Sequence, residues 1–544
     1  MLSTLKEAGL FKKFLLSLTG VGLSSYALVR SYNALHLDDP VFHHERFYYK
    51  QIVQPFVTPV VRVLEGGARS TISISCMAGI ALDYYIHKIL VEDFKLCDSY
   101  RDEVDERSAN KLLKLFKSNG GLYVKFGQQF VAMRGFIPDV YADTLKQLQD
   151  KAPHLNIREV EGVFIRELGR TRQELFSQFE EEPIAAASLA QVHRAVTVDG
   201  RQVAVKIQYP KVSYYLNSDL FSQRVMNRLI SYLTGKKVGQ PEEVQDAILL
   251  ELDFIGEANN SKRTKYNFRD RSDVHVPIVL DEISGKNLLV MEYIGTRDDP
   301  AVKVNDKLGI TSLGLSVKEV SATLNEVFAE MVFKHGFVHG DLHAANVFVR
   351  NRHGRPQIVL LDHGLYMELP KSVSQGYAKF WRAVVMGDDD GVKEYCDSLG
   401  IKNYKLFKMI NTFSGYDVDL SQSSGEVMKK EELEELMKKF EQMSDSFDDL
   451  ARKAPKELAI VLRTSALLRA INIELGSPVN RFTIMARVAD RTIRGGEEAP
   501  LVVRYFFEAK ILMQEIKMYI IGLLLKMFRP FLMGHVARSV VNSF

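Results

Sequence analysis

The chain has 544 residues, 46% hydrophobic and 26% charged, with a formal charge of +3 spread along its length. That balance describes a folded protein with a sizeable core, in two or more units or one elaborated domain. No long basic block points to nucleic acid, and Cys76, Cys97 and Cys396 form no CxxC pair, which speaks against a zinc site or a disulfide framework.

Residues 1–40 stand apart. Lys6, Lys12 and Lys13 precede an apolar run from Phe14 to Val29, closed by Arg30. The run is slightly short of the roughly 17–25 residues of a spanning helix, although its flanking cations can snorkel. A signal-peptide core, a mitochondrial targeting helix retained as a single-pass anchor, and an ordinary buried helix all fit. Residues 41–176 are expected to form a helical extension, since Ser108–Phe116 and Ile157–Leu168 space their apolar residues three and four apart. Residues 177–295 change texture. Val203–Ile207 and Leu288–Met291 are short aliphatic runs that predict strands. Residues 296–544 are expected to return to helix beyond Tyr366. Leu433, Leu436, Phe440, Met443 and Phe447 share one helical face there, and Met518–Leu525 near Lys526 and Arg529 suits either a membrane interface or a docked helix. The whole predicts an α+β, two-lobed plan with helical flanks.

The residues that suggest chemistry follow a fixed order. Lys206, in Val203-Ala-Val-Lys, matches a strand lysine that grips the α and β phosphates of a nucleotide. An edge-strand lysine is the bland alternative. Glu251, Asp253 and Glu257 supply three carboxylates on what the pattern predicts to be one helix, where Glu251 and Glu257, six apart, do not share one direction and so serve different partners. Met291-Glu292-Tyr-Ile294 is a candidate hinge beside the nucleotide. In His339-Gly-Asp-Leu-His-Ala-Ala-Asn346, Asp341 would orient or deprotonate the acceptor and Asn346 would hold a metal through its amide oxygen. Sixteen residues later Ile358–Leu361 leads into Asp362-His-Gly364, where Asp362 would bind Mg²⁺.

The pattern departs from an ordinary protein kinase in three places. The glycine-rich phosphate loop is replaced by Ala185, Ala186, Ala187 and Ser188, whose Cβ atoms keep backbone farther from a phosphate. Residue 340 is Gly where an Arg is usual, and no long activation segment or A-P-E motif follows Gly364, so a platform for a protein substrate is hard to find.

With these departures, Lys125-Phe-Gly-Gln128 completes a resemblance to the UbiB family of AarF-domain-containing atypical kinases, over roughly 108–478. Asp362-His-Gly-Leu-Tyr366, Leu462-Arg463 and Leu468-Arg-Ala-Ile-Asn472 are similar to the subgroup of AarF-domain-containing kinases one and five. The resemblance implies an atypical kinase-like fold that binds ATP and Mg²⁺. In it the helix of Lys125 and Gln128 covers the pocket, Lys125 meets Glu251 and Asp253, and Glu257 pairs with Lys206. It further implies a mitochondrial membrane setting, with a membrane lipid or isoprenoid as partner and a role in lipid or coenzyme Q homeostasis. Many relatives carry Pro, Pro and Gly where this chain has Leu342, Ala344 and Ala345, which bears on the stiffness of the loop. A nucleotide-binding pseudokinase scaffold and a Ser/Thr protein kinase acting in trans are the alternatives.

Overall fold

A computed structural model describes residues 54–88, 100–132, 138–150, 156–186, 189–234, 248–412, 455–495 and 505–513. The apolar run 14–29, the helical face 433–447, the stretch 518–525, Ala187 and Ser188 lie outside them. Among the described residues no helix is long and apolar enough to cross a membrane.

In chain order the elements used below are helices α1 (Gln54–Lys88), α2 (Tyr100–Asn119), α3 (Leu122–Ala132) and α4 (Ile157–Leu168), then strands β1 (Phe176–Phe179), β2 (Ala185–Ala186), β3 (Ala190–Thr197) and β4 (Gln202–Gln208). Helices α5 (Pro210–Thr234) and α6 (Phe254–Asn267) precede β5 (Val274–His275), β6 (Leu288–Glu292) and β7 (Ala301–Lys303). There follow α7 (Val317–Glu330), β8 (Phe337–His339), β9 (Val347–Arg352), β10 (Arg355–Leu360), β11 (Tyr366–Glu368), α8 (Lys371–Met386), α9 (Lys456–Glu474) and α10 (Arg481–Ile493). The chain forms two compact units, one of residues up to 255 with 279–292, the other of 256–278 with 293 onward.

In the first unit, β1-β3-β4-β6 form an antiparallel sheet with β2 paired to β3. The alternation in β4 explains its place. Val203, Val205 and Ile207 are fully buried, each burial contributing about 1.5–3 kcal/mol, while Ala204 and Lys206 take the opposite face. Helices α2, α3 and α4 add Phe116, Leu122, Tyr123 and Phe164 to the same core. Arg69 of α1 clasps the buried Asp219 of α5 with two hydrogen bonds, at 3.1 and 2.8 Å. Part of the expected texture is corrected here. Residues 177–295 also contain the long helix α5, because the stretch 210–234 lacks the alternation of a strand and closes its backbone hydrogen bonds internally.

The second unit holds a mixed four-stranded sheet, β5-β10-β9-β7, and a two-stranded ribbon of β8 and β11. Its core gathers Val327 and Phe328 of α7, Ile358 and Leu360 of β10, Phe380 and Trp381 of α8, and Val461 and Leu468 of α9. Helix α7 runs into a single π turn, Met331–His335, and ends at Gly336 with φ +58. Only glycine takes that conformation without cost, and a Cβ there would also stand 3.0 Å from the Leu369 carbonyl. The sharp stop feeds β8 and, directly after it, the Asp341 loop. A strand therefore separates that loop from the preceding helix.

Candidate functional site

The first unit carries the lysines. Lys206 lies opposite Val192 of β3 and Leu289 of β6, so strands on both sides fix its backbone. Its ammonium stands 5.2 Å from the ring centre of Phe254, an aromatic face that favours a cation. Phe254 is itself buried.

The acidic segment is not one helix. It is helical through Glu251, turns at Leu252 and Asp253, and begins again with α6 at Phe254. The break has a physical cause. The buried Gln208 side chain donates to the Leu252 carbonyl at 2.9 Å and accepts from Ser213 at 2.7 Å, which takes that carbonyl out of a helical ladder. On the near side of the break, the Lys125 ammonium donates to both oxygens of Glu251 at 2.7 and 2.8 Å. Asp253 is exposed. On the far side, Glu257 is buried and belongs to the second unit. Glu292 ends β6, with Ile294 just beyond it, both partly buried.

Gln128 sits on α3, three residues after Lys125. The glycine between them sits where packing is tight. A Cβ on Gly127 would stand 2.2 Å from Leu148 Cδ1 and 3.0 Å from Phe116 Cδ2. The glycine of the K-x-G-Q tetrapeptide is thus where α3 presses closest on its neighbours. Ala185 and Ala186 form the short exposed strand β2 against Val192 and Gln191, so half of the alanine segment is strand and not loop.

The second unit carries Asp341, Asn346 and Asp362. His339 is fully buried, and its Nδ1 accepts from the Asp341 amide at 3.1 Å. Its Nε2 faces the Leu361 carbonyl at 3.4 Å. Desolvation, outweighing the pull of Asp362, lowers the affinity of this imidazole for a second proton, in keeping with Nδ1 as an acceptor. The Asn346 amide nitrogen donates to the Asp341 carbonyl at 3.1 Å, and the Leu361 amide donates to the Asn346 carbonyl at 2.8 Å. Those bonds bring the Asp341 loop beside the strand end that presents Asp362, and they leave the Asn346 side-chain oxygen as the donor suited to a hard cation.

Two carboxylates are prepared differently. Burial raises the proton affinity of Asp341, but the hydrogen bond and charge of His343 and the charge of Arg463 outweigh it and hold the group below the ordinary carboxylate range. Asp362 takes a left-handed backbone, φ +52, and its Oδ1 accepts from the Gly364 amide at 3.3 Å. A non-glycine residue there is strained by roughly 1 kcal/mol or more, and such strain persists where surroundings over-determine it. Buried His363 supplies part of that surround, facing Tyr366 Oη at 2.9 Å and the Leu360 carbonyl at 3.1 Å, while Asn260 donates to its carbonyl.

Among the described residues no three His, Cys, Asp or Glu side chains cluster as a metal cage. One carboxylate and one amide oxygen are a donor set that Mg²⁺ completes with phosphate and water, so Asp362 and Asn346 fit that ion. Two features were not foreseen from sequence, Arg463 beside Asp341 and the Gln208 anchor. Both join residues far apart in the chain.

Residues 147–396 match the ABC1 atypical kinase-like domain. The chain is 38% identical over 77% of its length to the Dictyostelium discoideum protein named "Probable serine/threonine-protein kinase abkD", of which it spans 60%. It is 34% identical over 72% of its length to AarF domain-containing protein kinase 1 of Mus musculus, of which it spans 75%. Among solved structures, the complex of Rv3197 with erythromycin from Mycobacterium tuberculosis aligns with 74% of this chain and all of that one, at 23% identity and a TM-score of 0.43. The atypical kinase-like α+β fold is the one expected from sequence, and the chain belongs to the ABC1, or AarF-domain, family of atypical kinases.

Proposed function

We propose that the protein binds ATP with Mg²⁺ and transfers or hydrolyses its terminal phosphate at a membrane, in the service of mitochondrial lipid or coenzyme Q homeostasis. The observation that supports this most is the interlocked set of Asp341, Asn346 and strained Asp362. Lys206 is the residue assigned to the α and β phosphates, with Ala185–Ser188, Glu292 and Ile294 around the nucleotide. Asn346 and Asp362 would hold the metal, which when bound neutralises charge on the β and γ phosphates. Asp341, kept ionised at neutral pH, receives the proton of the attacking hydroxyl or water as the new O–P bond forms and the bond to ADP breaks. The membrane and mitochondrial setting rests on the family resemblance and on the basic, apolar N-terminal run. Phosphate transfer to protein hydroxyls is a second reading, supported by the name of the Dictyostelium relative. A non-catalytic nucleotide-binding scaffold is supported by the alanine strand β2 in place of a glycine loop.

The test is ATP turnover by the purified full chain, with and without vesicles of mitochondrial lipid composition, and with an added protein acceptor. Turnover is expected to rise with vesicles and to fall roughly 10²–10⁴-fold in Asp341→Asn. ATP binding without turnover in every arm would establish the scaffold. Efficient phosphorylation of the added protein would establish the protein kinase.

A further inference from the structure

We infer that α9 is a brace for the phosphoryl-transfer loop and that Arg463 is a positioning residue for Asp341. This rests on the phosphotransferase reading above. Three residues of α9, spaced i, i+3 and i+4 and so on one face, meet three consecutive residues of the loop. Ile460 Cγ2 stands 3.3 Å from where a Cβ on Gly340 would be. The Arg463 guanidinium donates to Asp341 Oδ1 at 3.1 Å. Thr464 Oγ1 donates to the His339 carbonyl at 2.9 Å, where both groups are buried.

The same geometry explains the glycine. A side chain at 340 would crowd Leu365 Cγ and Cδ2, at 2.9 and 3.0 Å from its Cβ, and press on Ile460, so these neighbours would have to shift. The cation beside the carboxylate comes from a helix more than a hundred residues later in the chain. His343 Nε2 approaches the other carboxylate oxygen at 3.5 Å, so Asp341 is held from two sides. The Arg463 side chain is 55% exposed against 33% for Asp341, so the pair adds little to folding stability and its value is in aim. A planar fork sets the direction of a carboxylate more firmly than a flexible ammonium does.

The experiment measures kcat and KM for ATP in the parent, Arg463→Ala, Arg463→Lys, Asp341→Asn and the double variant Arg463→Ala/Asp341→Asn, each checked for an unchanged unfolding temperature. Arg463→Ala should lower kcat roughly 10- to 100-fold with KM for ATP within about twofold. Arg463→Lys should recover part of that loss, free guanidinium should rescue the alanine variant, and the double variant should be no slower than Asp341→Asn alone. A parent-like kcat in Arg463→Ala, or a loss that adds in full to that of Asp341→Asn, would overturn the assignment. If the parent itself turns over no ATP, the phosphotransferase reading fails and takes this one with it, an outcome told apart by the parent's own rate.

Discussion

Two cation–carboxylate pairs, one in each unit, put the same chemistry into different geometry. Lys125 and Glu251 engage through both carboxylate oxygens at 2.7 and 2.8 Å, with side chains 25% and 31% exposed. Arg463 touches one oxygen of Asp341 at 3.1 Å and is more than half exposed. The first pair engages both oxygens of its acid and ties α3 to the segment before the Gln208 anchor. In the second the acid is about as exposed as Glu251, at 33%, but its cation is more exposed than Lys125, and most of the arginine's donors face water. The tighter pair is the one expected to restrain, and the looser one to aim.

The sharpest way to break the restraining side is at the glycine that lets α3 pack. Gly127→Ala places a methyl 2.2 Å from Leu148 and should cost about 1–3 kcal/mol, read as a lower unfolding temperature of the full chain. An unchanged temperature would mean that the close approach is easily relieved. Next comes Lys125→Met. It strands a partly exposed Glu251 and should cost about 1 kcal/mol, between the surface and the buried limits for ion pairs. If α3 restrains transfer to proteins, the same variant raises autophosphorylation, and Ala186→Gly shifts nucleotide preference with little change in stability. Lys125→Met matching the parent in autophosphorylation, with the parent already phosphorylating added protein efficiently, would remove the restraint from the account.

How much of this was legible in the sequence follows contact range. Strand β4 and its Lys206, the Asp341 loop and the Asp362 turn are local patterns, written within ten or so residues each. The family resemblance implied that Lys125 meets Glu251 and Asp253, and the structure contains the pair with Glu251. The break at Leu252 was not legible, because its cause is Gln208, 44 residues away. Nor was the role of Gly340, whose Cβ position is crowded by Leu365 and, from α9, by Ile460. The long helix α5 was missed in a stretch assigned to strand texture, since its apolar spacing follows neither period strongly and its place is set by packing on α1. Whatever required a distant partner had no counterpart in a local pattern.

The claim that Asp341, Asn346 and Asp362 form the metal-dependent half of a nucleotide site is tested most directly by ATP affinity measured with and without Mg²⁺, in the parent and in Asp362→Asn. Removing one carboxylate charge from a two-donor metal site should abolish most of the gain that Mg²⁺ brings and leave metal-free binding nearly as it was. An equal loss of affinity with and without Mg²⁺ would contradict the account, and would make Asp362 a structural turn residue.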